Sequence, residues 1–205
     1  MVPMWQYAEN LSLVRAYLRR FKGCTDSVVE CGAWRGGMSA GLIDVTYDSM
    51  ECWFYDSFEG LPAVSSQDGD RARLWKKDVT HPRYFNNCLS TRLECEETIL
   101  ESRTPNRAKL VGGDIRETAT VQSPKSIAIL RLDVDWYKTT HFCLRHFWPL
   151  LKRGGIVIID DYYHWEGCRK AVHKFLATEA LSIPLRVYGR TRIVYLIKDD
   201  NPNAY

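Results

Sequence analysis

No stretch of this 205-residue chain approaches the ~20 apolar residues that a helix needs to cross a bilayer, so no membrane span is expected. The opening MVPMWQYAEN lacks the layout of a signal peptide. The seven cysteines (24, 31, 52, 88, 95, 143 and 168) are an odd number without a CxxC pair. That argues against a zinc site and a disulfide framework, and for a reducing, cytoplasmic setting. Basic residues form no long run and the net charge is only +3, so no nucleic-acid partner is expected. The small positive excess suits an anionic or a neutral small substrate equally. Repeats, low-complexity tracts and linkers are missing too. Residues 1–205 therefore read as a single domain, either whole or a module of a longer chain.

What is present is an alternation of strands and helices. Apolar runs at 26–32, 51–58, 108–114, 126–133 and 154–160 read as strands, and LRVYG and RIVYLI as a closing antiparallel hairpin around Gly189. Helical spacing marks 5–21, 36–45, 83–102, 138–151 and 166–180. Nearly continuous apolar strands alternating with helices imply a mostly parallel α/β sheet covered on both faces. In such sheets ligands bind beyond the carboxyl ends of the strands. Glu30, Asp56, Asp114, Asp133, Asp135, Asp160 and Asp161 all fall at such ends. Residues 59–82 form a polar excursion carrying Trp75 in RARLWKK, and read as a substrate lid.

VVECGAWRGGMSA (28–40) is strand, acid, tight glycine turn and helix start. Its spacing, Glu30-x-Gly32-x-x-x-Gly36-Gly37, lacks the G-x-G of a dinucleotide fingerprint and a P-loop lysine. A glutamate before the turn repels a pyrophosphate and attracts an ammonium. Asp56, 24 residues after Gly32, is suited to the two hydroxyls of a ribose. Gly32 reads as the place where backbone approaches the ligand. Together these favour S-adenosylmethionine over NAD.

ECGAWRGG (30–37), DSFEGLP (56–62), LDVDWYKTT (132–140) and VIIDDYYHWEGCRKAVHKF (157–175) occur in the order in which the macrocin O-methyltransferase family carries them, and the chain resembles that family from about residue 28 to 176. The resemblance implies a Rossmann-like class I methyltransferase fold with seven strands, and transfer of a methyl group from S-adenosylmethionine to a sugar hydroxyl of a glycan or glycosylated small molecule. A catechol- or phenol-type acceptor, and a non-catalytic nucleotide-sugar-binding module, are the rival readings. Family members usually carry a Trp-Phe pair where this chain has Asp114-Ile115, so a different adenine pocket is expected. A homo-oligomer or neighbouring domains of a longer chain stay open as partners.

The implied cofactor set is Glu30, Gly32, Trp34, Arg35, Gly36, Gly37, Ser39, Asp56, Ser57, Asp114, Ile115 and Asp133. The resemblance places Mg²⁺, or another divalent ion, on Asp133, Asp160 and Asp161, hard oxygen donors of the kind that ion takes. Asp135 is the first choice for the base, with a fourth-ligand role open to it; Lys138 and His164 are rivals. Capping a helix near Lys138 is the structural alternative for Asp135, and a cap before YYHWEG is that for Asp161. Tyr137, Tyr163, His164, Trp165 and Arg169 are the expected acceptor contacts, within an aromatic wall that begins at Tyr162.

Overall fold

The computed structural model describes residues 2–179 and 182–198. One sheet runs in the order β3-β2-β1-β4-β5-β7-β6. Strands β1 (Ser27–Cys31), β2 (Cys52–Asp56), β3 (Ala108–Gly112), β4 (Ile127–Leu132) and β5 (Leu151–Ile159) are parallel. β7 (Ile193–Ile197) pairs antiparallel with β5 and with β6 (Arg186–Tyr188), which is the expected hairpin. Helices α1 (Met4–Leu18), α2 (Gly37–Val45) and α4 (Arg92–Leu100) cover one face; α5 (Ile115–Val121), α6 (Tyr137–Phe147) and α7 (Glu166–Glu179) cover the other. Among the described residues no helix is long and apolar enough to cross a membrane.

The pleat explains which residue goes where. Val29, Cys31, Leu130, Leu132, Val157 and Ile159 pack with α5, α6 and α7. Their sequence neighbours Val28, Ile129, Ile156 and Ile158 pack with α1, α2 and α4. Successive strand residues face opposite ways, so parity fixes the side. Glu30 and Arg131 share the parity of the α1–α2 face and stand opposite each other in register. Asp160 follows Ile156 and Ile158 toward that face, and Asp161 follows Val157 and Ile159 toward the other.

Three expectations need correction. The excursion after β2 is not all loop: Gly69–Lys77 forms a further helix, α3. The helix expected from residue 83 starts only at Arg92, where Thr91 and Glu94 close a capping box. Before it, Phe85, Asn86, Asn87 and Cys88 all adopt positive φ, between +47° and +60°, a left-handed turn that no apolar periodicity signals. The helix expected over 138–151 ends at Phe147, just ahead of Pro149, and β5 begins at Leu151. α5 was not legible in its short polar sequence.

Gly32 has a structural task of its own. Its φ is +90°, and a Cβ there would lie 1.9 Å from the Asp133 carbonyl oxygen. The glycine is required first by the close passage of two chain segments, β1's exit and β4's exit, and not by the ligand alone. Gly32→Ala should therefore destabilise the ligand-free protein by roughly 2–5 kcal/mol, combining a left-handed non-glycine residue with overpacking. Urea unfolding measures it; a loss under about 0.5 kcal/mol would show that the carbonyl does not dictate glycine.

Candidate active site

The carboxyl ends of the parallel strands open into a cleft of about 1620 Å³. That exceeds the ~300–1,000 Å³ of a site for one drug-sized ligand and leaves room for two. Glu30, Gly32, Trp34, Arg35 and Gly37 line it from the first turn; Asp56, Ser57, Asp114 and Ile115 line it from the next two strand ends. Trp34 holds a positive φ of 49°, and its amide donates to Asp56 Oδ2 at 2.7 Å. Phe58 N donates to the other Asp56 oxygen at 2.8 Å. Each oxygen keeps a second acceptor site for a hydroxyl. Asp114 caps α5 through Arg116 N at 2.9 Å and is gripped by the Arg116 guanidinium. Arg35 lies over the Trp34 ring, 5.0 Å from its centre, and 3.5 Å from Glu94. Gly36 and Ser39 sit behind the lining. Gly36 starts α2 in the left-handed region, and Ser39 donates to Glu30 Oε2 at 2.5 Å.

Behind the acids lies a charge network that the sequence reading did not single out. Arg131, fully buried, donates through Nη1 to Glu30 Oε1 at 2.7 Å and to Asp133 Oδ2 at 3.0 Å. Its Nη2 stands 2.9 Å from Asp160 Oδ1. The other Asp160 oxygen accepts from Gln6 Nε2 at 3.2 Å, and Asn10 Nδ2 approaches Oδ1 at 3.5 Å. A lone arginine inside the apolar run AILRL was the available signal. So was the polar pair Gln6 and Asn10, on the stripe that continues through Leu13, Val14 and Tyr17.

Oxygens of Asp133, Asp135 and Asp161 lie within 4.8 Å of one another. Asp160 lines the same cleft but is engaged by Arg131 and α1, so this group contains Asp135 where the sequence reading had Asp160. Burial pushes the Asp135 carboxyl up to about 7, and the Asp133 charge adds to it. Burial also raises Asp161 well above the carboxylate range, helped by Asp135 and Asp133. Asp133 is raised by burial against the pull of Arg131. Three crowded, desolvated carboxylates are a hard-oxygen donor set that fits a small divalent cation.

Asp135 caps no helix, whereas Asp161 closes the turn after β5 through its carbonyl, which accepts from His164 N at 2.9 Å and Trp165 N at 3.0 Å. Asp135, at φ +54°, accepts from Trp165 Nε1 at 2.6 Å, and its own amide donates to Asp161 Oδ2 at 3.1 Å. The first amide of α6, that of Tyr137, goes instead to Asp68 Oδ1 at 2.7 Å. Asp68 is nearly inaccessible and also takes the Ser65 amide and hydroxyl, at 2.7 and 2.6 Å. The excursion after β2 is thus pinned to the site. It brings Trp75 against Trp165 and Trp136, with ring centres 5.8 and 6.1 Å apart. His164 and Trp165 line the cleft.

The cleft does not gather the other four expected residues. The Tyr137 ring stacks on His141, and Lys138 faces a shallow surface depression with His141, Phe142, Arg145 and His146. Tyr163 is 41% exposed and binds the Arg192 guanidinium through its hydroxyl at 3.1 Å. Arg169 points to solvent because Cys168, Ala171 and Val172 take the inward stripe of α7.

This strand order, with a cleft at the carboxyl ends and acids along it, defines a Rossmann-like class I methyltransferase fold. The solved structure of the O-methyltransferase NovP superposes with a TM-score of 0.74 at 25% identity, over 93% of this chain and 79% of that one. The sequence profile of the macrocin-O-methyltransferase family (TylF) matches residues 20–195, and the chain belongs to that family. An 8-demethyl-8-(2,3-dimethoxy-alpha-L-rhamnosyl)-tetracenomycin-C 4'-O-methyltransferase of Streptomyces olivaceus is 31% identical over 84% of this chain and 66% of its own length. The mycinamicin III 3''-O-methyltransferase of Micromonospora griseorubida is 28% identical over 78% of this chain and 64% of its own length. The chain thus spans just under two thirds of these curated relatives.

Glu30 offers a measurable consequence of the network. Burial raises its carboxyl from 4.5 to about 7, in spite of Arg131 and Ser39. Between those values the folded state binds more protons than the unfolded one. Its contribution to stability is therefore full below about pH 4.5 and lost as pH rises through about 7. Urea unfolding of ligand-free wild type and Glu30→Gln should show the balance shifting toward the variant between about pH 5 and 8. A difference independent of pH would mean that Glu30 stays ionised throughout.

Proposed function

We propose that this chain transfers a methyl group from S-adenosylmethionine to a sugar hydroxyl of a glycan or glycosylated small molecule, with Mg²⁺ or another divalent ion at the acids. The convergence of Asp133, Asp135 and Asp161 in the cleft that Glu30 and Asp56 also line carries this reading. S-adenosylmethionine supplies an electrophilic methyl group. Asp56 would accept its ribose hydroxyls, and Glu30, beside the Gly32 turn, would face its ammonium. The remaining work of the protein is alignment and deprotonation, and positioning alone can contribute roughly 7–11 kcal/mol.

Asp133, Asp160 and Asp161 would hold the divalent ion, whose chemistry is Lewis-acid polarisation of the acceptor hydroxyl. Asp135 would take the hydroxyl proton: burial makes it basic, and Trp165 fixes its orientation. The grouping of Asp135 with Asp133 and Asp161 favours a second reading, in which Asp135 is a ligand and Asp160, held by Arg131, Gln6 and Asn10, only orients the cluster.

Four measurements test these roles. Calorimetry should show S-adenosylhomocysteine binding that Asp56→Ala weakens; binding of NAD in its place would sink the cofactor assignment. EDTA should abolish turnover and Mg²⁺ restore it, while S-adenosylhomocysteine affinity largely survives. Asp135→Asn separates the two readings. A base loses about 10²–10⁴-fold in rate with Mg²⁺ affinity unchanged, whereas a ligand loses Mg²⁺ affinity and is rescued by excess ion. Among glycosides and catechols, turnover of catechols alone would overturn the sugar acceptor.

A further inference from the structure

Four arginines line the cleft, and they differ in what neutralises them. Arg35 lies 3.5 Å from Glu94, and Arg116 closes on Asp114. Arg71 and Arg83 make no ion pair among the described residues. Other cations of the same excursion have structural work: Arg73 pairs with Asp70 at 2.8 Å, and Lys76 binds the Leu61 carbonyl at 2.8 Å and the Asn87 side chain. Glu59 and Asp78 are the acids that the excursion gives the cleft, and Asp78 accepts from the Thr80 hydroxyl at 2.8 Å.

Both arginines are anchored at the tryptophans beside the acids, Arg71 through its guanidinium and Arg83 through its backbone. Arg71 lies 5.6 Å from the centre of the Trp165 ring, and Trp165 reaches Asp135 at 2.6 Å. A continuous line of contacts therefore runs from the acid cluster, across one indole, to an unneutralised cation. Arg83 is held from the other tryptophan, its carbonyl accepting from Trp75 Nε1 at 3.1 Å, and its amide donates to His81 Nδ1 at 3.1 Å. An indole is about as wide as a sugar ring. A sugar whose hydroxyl meets the acids would carry its far substituent to Arg71 and Arg83. An anionic substituent is excluded from the acid side by repulsion and accepted on this side.

We propose that Arg71 and Arg83 form an anion subsite, and that the acceptor is a sugar bearing a phosphate or diphosphate ester. Guanidinium forks match phosphate oxygens in pairs, and two of them match a dianion. This rests on the sugar O-methyltransferase reading and narrows its substrate class. The partly exposed subsite also makes binding sensitive to salt.

Calorimetric titration of the S-adenosylhomocysteine-saturated protein with uridine diphosphate, glucose 1-phosphate and methyl glucoside tests it. The two phosphates should bind at least roughly tenfold better than the neutral glycoside. Arg71→Gln and Arg83→Gln should each weaken them roughly ten- to a hundredfold, the loss of a charged hydrogen bond, with Arg73→Gln and S-adenosylhomocysteine affinity unchanged. Uridine diphosphate tighter than glucose 1-phosphate assigns a nucleoside-diphosphate sugar; equal affinities assign a simple sugar phosphate. Phosphates binding no better than methyl glucoside, or an equal loss in Arg73→Gln, would overturn the subsite. Phosphate binding that depends on Arg71, with no methylation of any phosphorylated or neutral sugar, would uphold the subsite and sink the sugar reading.

Discussion

One buried guanidinium makes the rest of the site possible. Glu30, Asp133 and Asp160 come from three neighbouring strands, and each would be costly to keep ionised away from water. Arg131 sits in register with Glu30 and reaches all three. Breaking a buried ion pair by removing one partner typically costs about 3–5 kcal/mol, because the abandoned charge remains desolvated. Here a single cation serves three partners, so the charge balance of the first turn, of β4's exit and of β5's exit is shared. It extends to α1 as well, since the same Asp160 carboxylate takes Gln6 and lies near Asn10. Glu30 and the acid cluster are thus parts of one electrostatic unit, and a change in charge at either end is felt at the other.

A second constraint ties the excursion after β2 to this unit. Asp68 fits against Gly167, where a Cβ would lie 2.2 Å from its Oδ1, and its carboxylate meets the first amide of α6. A negative charge at a helix N-terminus is favourable, so the peg also stabilises the helix that follows the Asp135 turn. Farther along, Asn87 receives the Leu61 amide and donates to the Leu61 carbonyl, each at 3.0 Å, across the left-handed turn at 85–88. A segment that composition alone marks as a mobile lid is therefore held at both ends. Its tryptophans and free arginines stand at fixed places on the cleft wall.

The strands, their order class and the closing hairpin were legible because buried parallel strands write themselves as apolar runs, and β-turn glycines punctuate them. The acids were legible as strand-end residues. What was not legible is which way each side chain is drawn. Lys138 and Arg169 stand within a few residues of the acids in sequence, yet helical geometry turns them outward, since Thr140, Cys143, Cys168 and Ala171 occupy the inward stripes. Arg131 was hidden because a strand-interior arginine has no local pattern; its meaning comes from two other strands. Asp68 was hidden because its partner, the Tyr137 amide, lies 69 residues away. The left-handed turn at 85–88 depends on contacts with residues 60, 61 and 76 and carries no periodic signal.

Sequence parity does resolve one ambiguity that composition leaves open. Two adjacent aspartates at the end of a strand cannot both face the same layer, because the side-chain period is two. In IVIIDD the first acid inherits the direction of Ile156 and Ile158, toward α1, and the second that of Val157 and Ile159, toward α6 and α7. Asp160 is accordingly met by Gln6, Asn10 and Arg131, while Asp161 accepts the amide of Asp135. A pair of acids that looks like one bidentate group in the sequence is divided between two environments, one neutralised by a buried arginine and one crowded by like charge. The crowded acid has the greater need of a cation, since Asp135 and Asp133 both raise its proton affinity.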